Sequence, residues 1–173
     1  MLESTSSETQ ALQPVIYELG VAVYCCQQFE TTLLFLVSIL TANEGVVTSE
    51  SFKNELAVHS AKKSTLGKLA GAFKTKLSLP ANYELYIQHG VETRNKIMHG
   101  FVMRNAPKFL SADGRSEIID ELREAQYIIN ERLQSLNEVL DRALRVFGGS
   151  LDQLRREASF RFDPDIVDEI FQH

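Results

Sequence analysis

Residues 92–101 read ETRNKIMHGF and hold the side chains of this chain that are best suited to chemistry. Arg94 and Asn95 are adjacent, and His99 follows the arginine by five positions. A guanidinium offers a planar fork for phosphate oxygens, and an imidazole can accept and return a proton near neutral pH. Such a trio could cleave RNA without a metal: His99 would take the 2′-hydroxyl proton, Arg94 would stabilise charge on the phosphate, and Asn95 would orient the ring or a substrate oxygen.

The spacing of this trio leaves open whether its members meet. On a helix, Arg94 points about 140° away from His99, so its side chain must reach round the helix or the last turn must distort. The helix also predicts one polar stripe, made of Gln88, Glu92, Asn95 and His99. Arginine and histidine occur at this spacing by chance as well. The alternative interpretation is therefore an arginine paired with a carboxylate and a histidine that caps helix carbonyls.

Length and composition indicate one soluble globular domain with a helical bias. The chain has 173 residues, of which 44% are hydrophobic and 24% are charged, and it contains only 9 glycines and 4 prolines. Helix breakers are scarce, and the length suits one sizeable core. The formal net charge of −5 does not by itself indicate a nucleic-acid-binding protein.

The charge is unevenly distributed along the chain. Residues 51–110 hold ten Lys or Arg and three acids, a balance of +7, whereas the rest of the chain carries −12. A local basic face can attract phosphates even on an acidic protein. The alternative is a set of solvated lysines on helix surfaces. The ten basic residues are Lys53, Lys62, Lys63, Lys68, Lys74, Lys76, Arg94, Lys96, Arg104 and Lys108.

Apolar residues recur every three or four positions over most of the chain, which predicts an all-α helical bundle of about four to five helices with a short C-terminal helical extension. Residues 104–114 are predicted to form a loop or hairpin-like excursion, closed by Asp113-Gly114. The predicted domain division is a disordered N-terminus over 1–8, a bundle over 9–149 and the extension over 150–173. The predicted helices span about 9–41, 49–76 with a possible break near 59–64, 82–99, 116–147 and part of 151–172.

Other features predict a protein without a metal, a cofactor or a membrane segment. Cys25 and Cys26 are adjacent, which predicts buried packing in a reducing compartment rather than a disulfide framework. No basic leader precedes the first helix, and the longest apolar run, residues 33–40, is too short to cross a membrane, so a cytoplasmic location is expected. The remaining histidines, His59, His89 and His173, are scattered and complete no metal-ligand set.

The segment Arg94–His99 resembles the signature of the HEPN family (higher eukaryotes and prokaryotes nucleotide-binding domains). That signature is R-x4-6-H near the end of an inner helix, often with Asn directly after the arginine, as Asn95 is here. Upstream, residues 65–69 read TLGKL, similar to a TLG-x-L stretch in some bacterial RN-x3-H proteins. The resemblance covers residues 9–147 in helix order and length, and it is specific over about a dozen residues.

The resemblance implies an all-α homodimer whose two motifs form one composite active site. It implies a metal-independent endoribonuclease in a toxin–antitoxin or phage-defence context, with Arg94, Asn95 and His99 as catalytic residues and with RNA and an antitoxin protein as partners. A dimer could also let Arg94 of one chain serve His99 of the other.

Two other interpretations remain open at this point. Some HEPN proteins are non-catalytic nucleotide-binding, RNA-binding or protein-interaction modules, and the chain could also be a helical protein outside the family. Phe101 is a departure, because related toxins often carry a modified tyrosine two residues after the histidine. Its presence puts regulation through that tyrosine in doubt.

Overall fold

The computed structural model describes residues 2–41, 54–55, 57–58, 66–77 and 81–146. Side chains are described from residue 9 onward, except at residues 74, 76, 77 and 81. The described residues are helical apart from short turns and contain no strand, which confirms the predicted all-α bundle. The helices are α1 (Leu2–Thr41), α2 (Leu66–Leu77), α3 (Ala81–Met98), α4 (Phe101–Asn105), a 3-10 helix (Ala106–Leu110) and α5 (Ala112–Val146).

The two long helices α1 and α5 run parallel and form the centre of the bundle. Glu18 contacts Arg123, and seven residues further along both helices Cys25 lies beside the Asn130 side chain. Their shared interface buries large side chains at helical spacing, because each helix presents a continuous apolar stripe. The fully buried members include Phe29, Leu33, Leu36, Ile118, Leu122, Ile129 and Leu136.

Helix α3 lies against both α1 and α5 and runs antiparallel to α5. Tyr83 lies near Ser135, with its hydroxyl 3.5 Å from the Ser135 carbonyl oxygen, whereas Gly90 lies further back along α5 beside Arg132. A Cβ atom on Gly90 would lie 2.8 Å from Phe29 Cζ and 3.3 Å from Arg132 Cγ. The absence of a side chain at Gly90 therefore lets α3 approach both long helices at one point.

The region between α3 and α5 is helical, so the predicted loop or hairpin-like excursion over 104–114 is wrong. Helix α5 begins at Ala112, four residues before the predicted Ser116. The Ser111 hydroxyl accepts a hydrogen bond from the Gly114 amide at 3.1 Å, the arrangement of a serine N-cap. The pair Asp113-Gly114 is typical of a turn, but the cap at Ser111 makes both residues part of the first turn of α5.

Several predicted boundaries remain predictions. Helix α1 begins at Leu2 rather than near Thr9, and the division at residues 8 and 9 is not tested by the described side chains. Of the second predicted helix, residues 66–77 are described as α2, and most of 49–65 lies outside the described residues, as does the C-terminal extension over 150–173.

The first helix also has the length and composition of a membrane span. Residues Thr9–Thr41 reach a mean hydropathy of 1.4 in their most apolar window, and half of that window is buried inside the bundle. The core helix of a soluble protein passes the same test, so this observation is weak support for a membrane location. The predicted cytoplasmic location stays a prediction.

Candidate functional site

The candidate site lies where α3 ends. The His99 amide donates to the Asn95 carbonyl at 3.0 Å, so His99 still belongs to the last helical turn. Gly100 follows with φ of 75°, a left-handed conformation that glycine adopts without steric cost. This turn starts α4, and His99 is exposed to solvent. The last helical turn of α3 ends directly before Gly100, at the predicted helix stop.

Arg104 holds this helix end in place. Its guanidinium donates to the His99 carbonyl oxygen at 2.7 Å and also to the carbonyl oxygen of Lys96. These are carbonyls that the end of a helix leaves without intrahelical partners. Arg104 is one of the ten basic residues of the segment 51–110, and its position a few residues beyond a helix end is also a known signal of helix capping.

Arg94 meets His99 within the same chain. Its Nη1 atom lies 3.2 Å from His99 Nε2 and also donates to Asn95 Oδ1 at 3.1 Å. The side chain thus reaches round the helix and covers the 140° that separates the two positions on an ideal helix. The three predicted residues come together, and no second copy of the chain is required for Arg94 to reach a histidine.

A carboxylate that the sequence analysis did not select completes the cluster. Glu30 of α1 accepts from Arg94 Nη2 at 2.5 Å, and the Arg94 side chain is only 12% exposed. The carboxylate partner of the alternative interpretation is therefore present together with the histidine contact. One signal pointed to it: Glu18 and Glu30 are the only charged residues between positions 9 and 41. An isolated acid on a buried helix needs a partner.

The contact constrains the protonation of His99. A guanidinium can only donate hydrogen bonds, so Nε2 must accept and therefore carries no proton in this arrangement. Arg94 Nε is buried without a hydrogen-bond partner, while both Nη atoms are engaged. We call Glu30, Arg94, Asn95 and His99 the helix-end cluster; it places a basic ring nitrogen and a fixed guanidinium next to each other at a solvent-exposed position.

Phe101, which follows His99 by two residues, is part of the core. Its side chain is 2% exposed and belongs to the main hydrophobic cluster. An aromatic residue at this position therefore serves packing in this protein. The burial agrees with the departure noted in the sequence.

A second arginine–histidine contact lies between α3 and α5, and the sequence analysis did not predict it. Arg132 Nη2 lies 3.1 Å from His89 Nδ1, and Nη1 contacts Glu131 Oε2 at 2.6 Å. The guanidinium carbon lies 4.2 Å from the centroid of the Tyr86 ring, a cation–π arrangement. We call Glu131, Arg132, His89 and Tyr86 the mid-helix cluster.

Positive charge around the helix end is only partly described. Lys96 and Arg104 are exposed near His99, and Lys68 is exposed on α2, whereas Lys108 pairs with Glu117 at 3.1 Å. The predicted basic face stays a prediction, because the side chains of Lys53, Lys62, Lys63, Lys74 and Lys76 lie outside the described residues. Within the described part of the chain, no group of three His, Cys, Asp or Glu could hold a metal ion.

The two cysteines are free and buried, which agrees with the packing role expected of them. Burial raises the pKa of the Cys26 thiol to about 12 and also raises that of Cys25. Neither thiol is therefore a ready nucleophile in the folded protein.

No family model, no curated protein and no solved structure matches this chain. The resemblance to HEPN domains therefore depends on the sequence alone: the segments 65–69 and 94–99 and the order and length of the helices.

Proposed function

We propose that the protein is a HEPN-like, metal-independent endoribonuclease in which Arg94, Asn95 and His99 act on the scissile phosphodiester. The observation that carries the proposal is the contact between Arg94 Nη1 and His99 Nε2 at a solvent-exposed helix end. An unprotonated ring nitrogen beside a guanidinium supplies a base and an anion-binding group within one short segment.

In this mechanism the substrate phosphate displaces His99 as a hydrogen-bond acceptor of Arg94. Nε2 is then free to take the proton of the 2′-hydroxyl, and the 2′-oxygen attacks phosphorus. The bond from phosphorus to the 5′-oxygen breaks, and that oxygen takes a proton from solvent water, which leaves a 2′,3′-cyclic phosphate and a 5′-hydroxyl. His99 then releases to solvent the proton that it took. Arg94 stabilises the charge on the phosphate oxygens, and Glu30 keeps the guanidinium oriented.

The partners and the biological context belong to the same proposal. The resemblance supports a homodimer with two facing Arg94–His99 pairs, an antitoxin protein as partner and a role in toxin–antitoxin or phage-defence systems. The contact within one chain changes one detail. Each copy would contribute a complete pair, instead of an arginine from one copy and a histidine from the other.

Cleavage of RNA by the purified protein in the presence of EDTA tests the proposal. We expect His99→Ala to lower the cleavage rate by about 100-fold to 10,000-fold, the usual contribution of a general acid or base. The matched control is His89→Ala, because His89 is also exposed and also contacts an arginine. Equal cleavage by wild type and His99→Ala would contradict the proposal.

A non-catalytic RNA-binding module is the second candidate. The observation that favours it over catalysis is the pairing of Arg94 with Glu30, which holds a side chain only 12% exposed, while Lys96 and Arg104 are exposed near His99 for contacts with phosphates. This candidate predicts binding of a labelled single-stranded RNA without cleavage, weakened to the same extent in Arg94→Ala and His99→Ala. Cleavage that disappears in His99→Ala while RNA binding persists would rule it out.

A further inference from the structure

The hydrogen-bond donors of Arg94 are largely taken in the folded protein. Its Nη1 atom contacts both Asn95 Oδ1 and His99 Nε2, and its Nη2 atom donates to Glu30 Oε2. Its Nε atom is buried without a hydrogen-bond partner, and the side chain is only 12% exposed. A phosphate that displaces His99 therefore receives one N–H of Nη1, while the Glu30 carboxylate still offsets part of the guanidinium charge.

The proposed reaction gathers more negative charge than this single donor can stabilise. Attack by the 2′-oxygen produces a five-coordinate phosphorus, and both of its non-bridging oxygens become more negative than in the substrate. Enzymes direct cationic side chains at such oxygens, because a fixed positive charge is most effective where negative charge develops. The need for a second cation, which rests on the proposed function, points to the basic residues around His99.

Two exposed basic residues, Lys96 and Arg104, lie near His99, and Arg104 is already committed to the protein itself. Its Nη1 atom donates to the His99 carbonyl oxygen at 2.7 Å, and its Nη2 atom donates to the Lys96 carbonyl oxygen. Turning Arg104 toward a substrate would deprive both carbonyls of this partner at a helix end. Arg104 is therefore a capping residue, and its two hydrogen bonds hold the backbones of Lys96 and His99 in one fixed turn.

Lys96 carries a charge that is available to a substrate. Its side chain is exposed, and its ammonium group is not paired with any carboxylate in the part of the chain that the structure describes. Glu92 lies one helical turn before Lys96, at a spacing that often gives an ion pair, but its Oε1 atom accepts a hydrogen bond from Gln88 at 3.0 Å. Lys108, by contrast, is paired with Glu117 at 3.1 Å.

Helical geometry places Lys96 beside His99, on the side away from Arg94. The His99 amide still donates to the Asn95 carbonyl at 3.0 Å, so residues 96–99 form a helical turn. Residues three apart on a helix are surface neighbours, with Cβ atoms about 5–6 Å apart. Lys96 lies about 60° from His99 in one direction round the helix, whereas Arg94 reaches the ring from the other direction, past Asn95. A phosphate at His99 Nε2 would therefore lie between the two cations.

We propose that Lys96 is a further catalytic residue, whose ammonium group binds the non-bridging oxygen of the scissile phosphate that Arg94 does not hold. Arg94 donates to one oxygen, Lys96 donates to the other, and His99 takes the 2′-hydroxyl proton between them. Lys96 transfers no proton in this step, because it acts only through its charge and its hydrogen bond. An ammonium group on a flexible stem suits this role, since it supplies a compact charge without a fixed orientation.

Cleavage kinetics of the full chain in EDTA test the role of Lys96. We expect Lys96→Gln to lower kcat by about 10-fold to 100-fold, with a smaller effect on KM, and Lys96→Arg to retain most of the activity. The matched control is Arg145→Gln, which also removes one exposed charge but lies on α5 beyond the level of Tyr83, at the opposite end of α3 from Lys96. Equal kcat values for Lys96→Gln and Arg145→Gln, or a raised KM with unchanged kcat in Lys96→Gln, would overturn the proposal.

RNA binding distinguishes a failure of this proposal from a failure of the ribonuclease function. In a His99→Ala background, the affinity for a labelled single-stranded RNA should fall with salt, and the slope of log K against log salt is about −0.7 for each phosphate contacted. Adding Lys96→Gln should make this slope shallower by about 0.7, whereas adding Arg145→Gln should leave it unchanged. An unchanged slope with Lys96→Gln would overturn the Lys96 contact even where wild type cleaves RNA. A shallower slope together with an inactive wild type would retain the contact but overturn both the ribonuclease function and the catalytic role of Lys96.

Discussion

The helix-end and mid-helix clusters contain the same three groups in almost the same contacts. In each cluster a carboxylate binds one Nη atom of an arginine, and the other Nη atom contacts a ring nitrogen of an exposed histidine. The arginine side chains are 12% and 11% exposed, and both have a buried Nε atom without a hydrogen-bond partner. Contact chemistry alone therefore does not distinguish a candidate active site from a packing contact.

The two clusters differ in where their members come from. In the helix-end cluster Arg94 and His99 belong to one helical turn region, and the carboxylate comes from α1. In the mid-helix cluster Arg132 and Glu131 are adjacent on α5, and His89 comes from α3. Only the first cluster lies at a helix end that opens through a left-handed glycine and is capped by a second arginine, Arg104.

The aromatic support differs as well. The Tyr86 ring lies under the Arg132 guanidinium and packs with Tyr83, with ring centroids 6.0 Å apart. Arg132 therefore stabilises the α3–α5 interface by stacking its guanidinium plane on the Tyr86 ring, which is a structural role. Arg94 has an amide, Asn95, as its additional partner instead. The position at a helix end, rather than the arginine–histidine contact, is therefore what distinguishes the helix-end cluster from the mid-helix cluster.

The largest expected difference between the clusters concerns the rate of RNA cleavage. Arg94→Lys keeps the charge and removes the planar fork, so we expect a loss of about 100-fold to 1,000-fold, as for removal of one donor that stabilises a transition state. Arg132→Lys should cleave at close to the wild-type rate. Cleavage assays of both variants in EDTA decide the point. Similar losses of cleavage rate in the two variants would show that both arginines affect cleavage only by stabilising the fold.

The second-largest effect is expected for the stability of the fold, on substitution of Gly90, which lies between the two clusters. Gly90 lies against Phe29, the neighbour of Glu30, and also against Arg132. Gly90→Ala places a Cβ atom 2.8 Å from a fully buried ring atom, so we expect a loss of about 1–3 kcal/mol in the free energy of unfolding. Gly71→Ala, in the interior of α2 where the new methyl group meets nothing, should gain about 0.5–1 kcal/mol. Urea denaturation measures both, and a stabilised Gly90→Ala would contradict the close approach.

Removal of the carboxylate charge should lower the free energy of unfolding by a smaller amount, and the amount should differ between the two clusters. Glu30→Gln leaves a largely buried guanidinium with a weaker acceptor, and we expect the free energy of unfolding to fall by about 1–2 kcal/mol. Glu131 is 44% exposed, so Glu131→Gln should cost less than about 1 kcal/mol. Chemical denaturation of both variants at pH 7 checks the order. The opposite order would mean that the carboxylate of the mid-helix cluster contributes more to the stability of the fold than Glu30 does.

Glu18 is a carboxylate that binds an arginine but no histidine, so it serves as a reference for Glu30 and Glu131. Hydrogen bonds from Gln126 and Arg123 lower the pKa of the Glu18 carboxyl below its ordinary value. The stabilisation it contributes is therefore present above about pH 4.3 and is lost as the pH falls through the lower folded-state pKa. Wild type should be more stable than Glu18→Gln at neutral pH, and this difference should shrink on acidification. Thermal melts across that range would show a constant difference if the bonds were absent.

The sequence was sufficient to select the trio, but it left open whether Arg94 and His99 meet, and it did not show which other residues they contact. Arg94, Asn95 and His99 lie within six positions, so helical geometry and a long arginine side chain bring them together locally. Glu30 lies 64 positions from Arg94, and His89 lies 43 positions from Arg132. Apolar periodicity shows which face of a helix is buried but does not show which helix covers it. The sequence did not predict the N-cap at Ser111, because Asp113-Gly114 is equally typical of a turn.

By itself, the sequence determined the helical class, the apolar character of α1, the helix end at Gly100 and the three polar residues gathered there. These features follow from local spacing and from the conformational freedom of glycine. The tertiary structure decided that Arg94 reaches His99 while held by Glu30, and that an unpredicted arginine, Arg132, holds His89 in the same way. The physical reason is that a buried carboxylate or guanidinium must be satisfied by whichever neighbour the packing supplies, and packing is set by the shapes of whole helices.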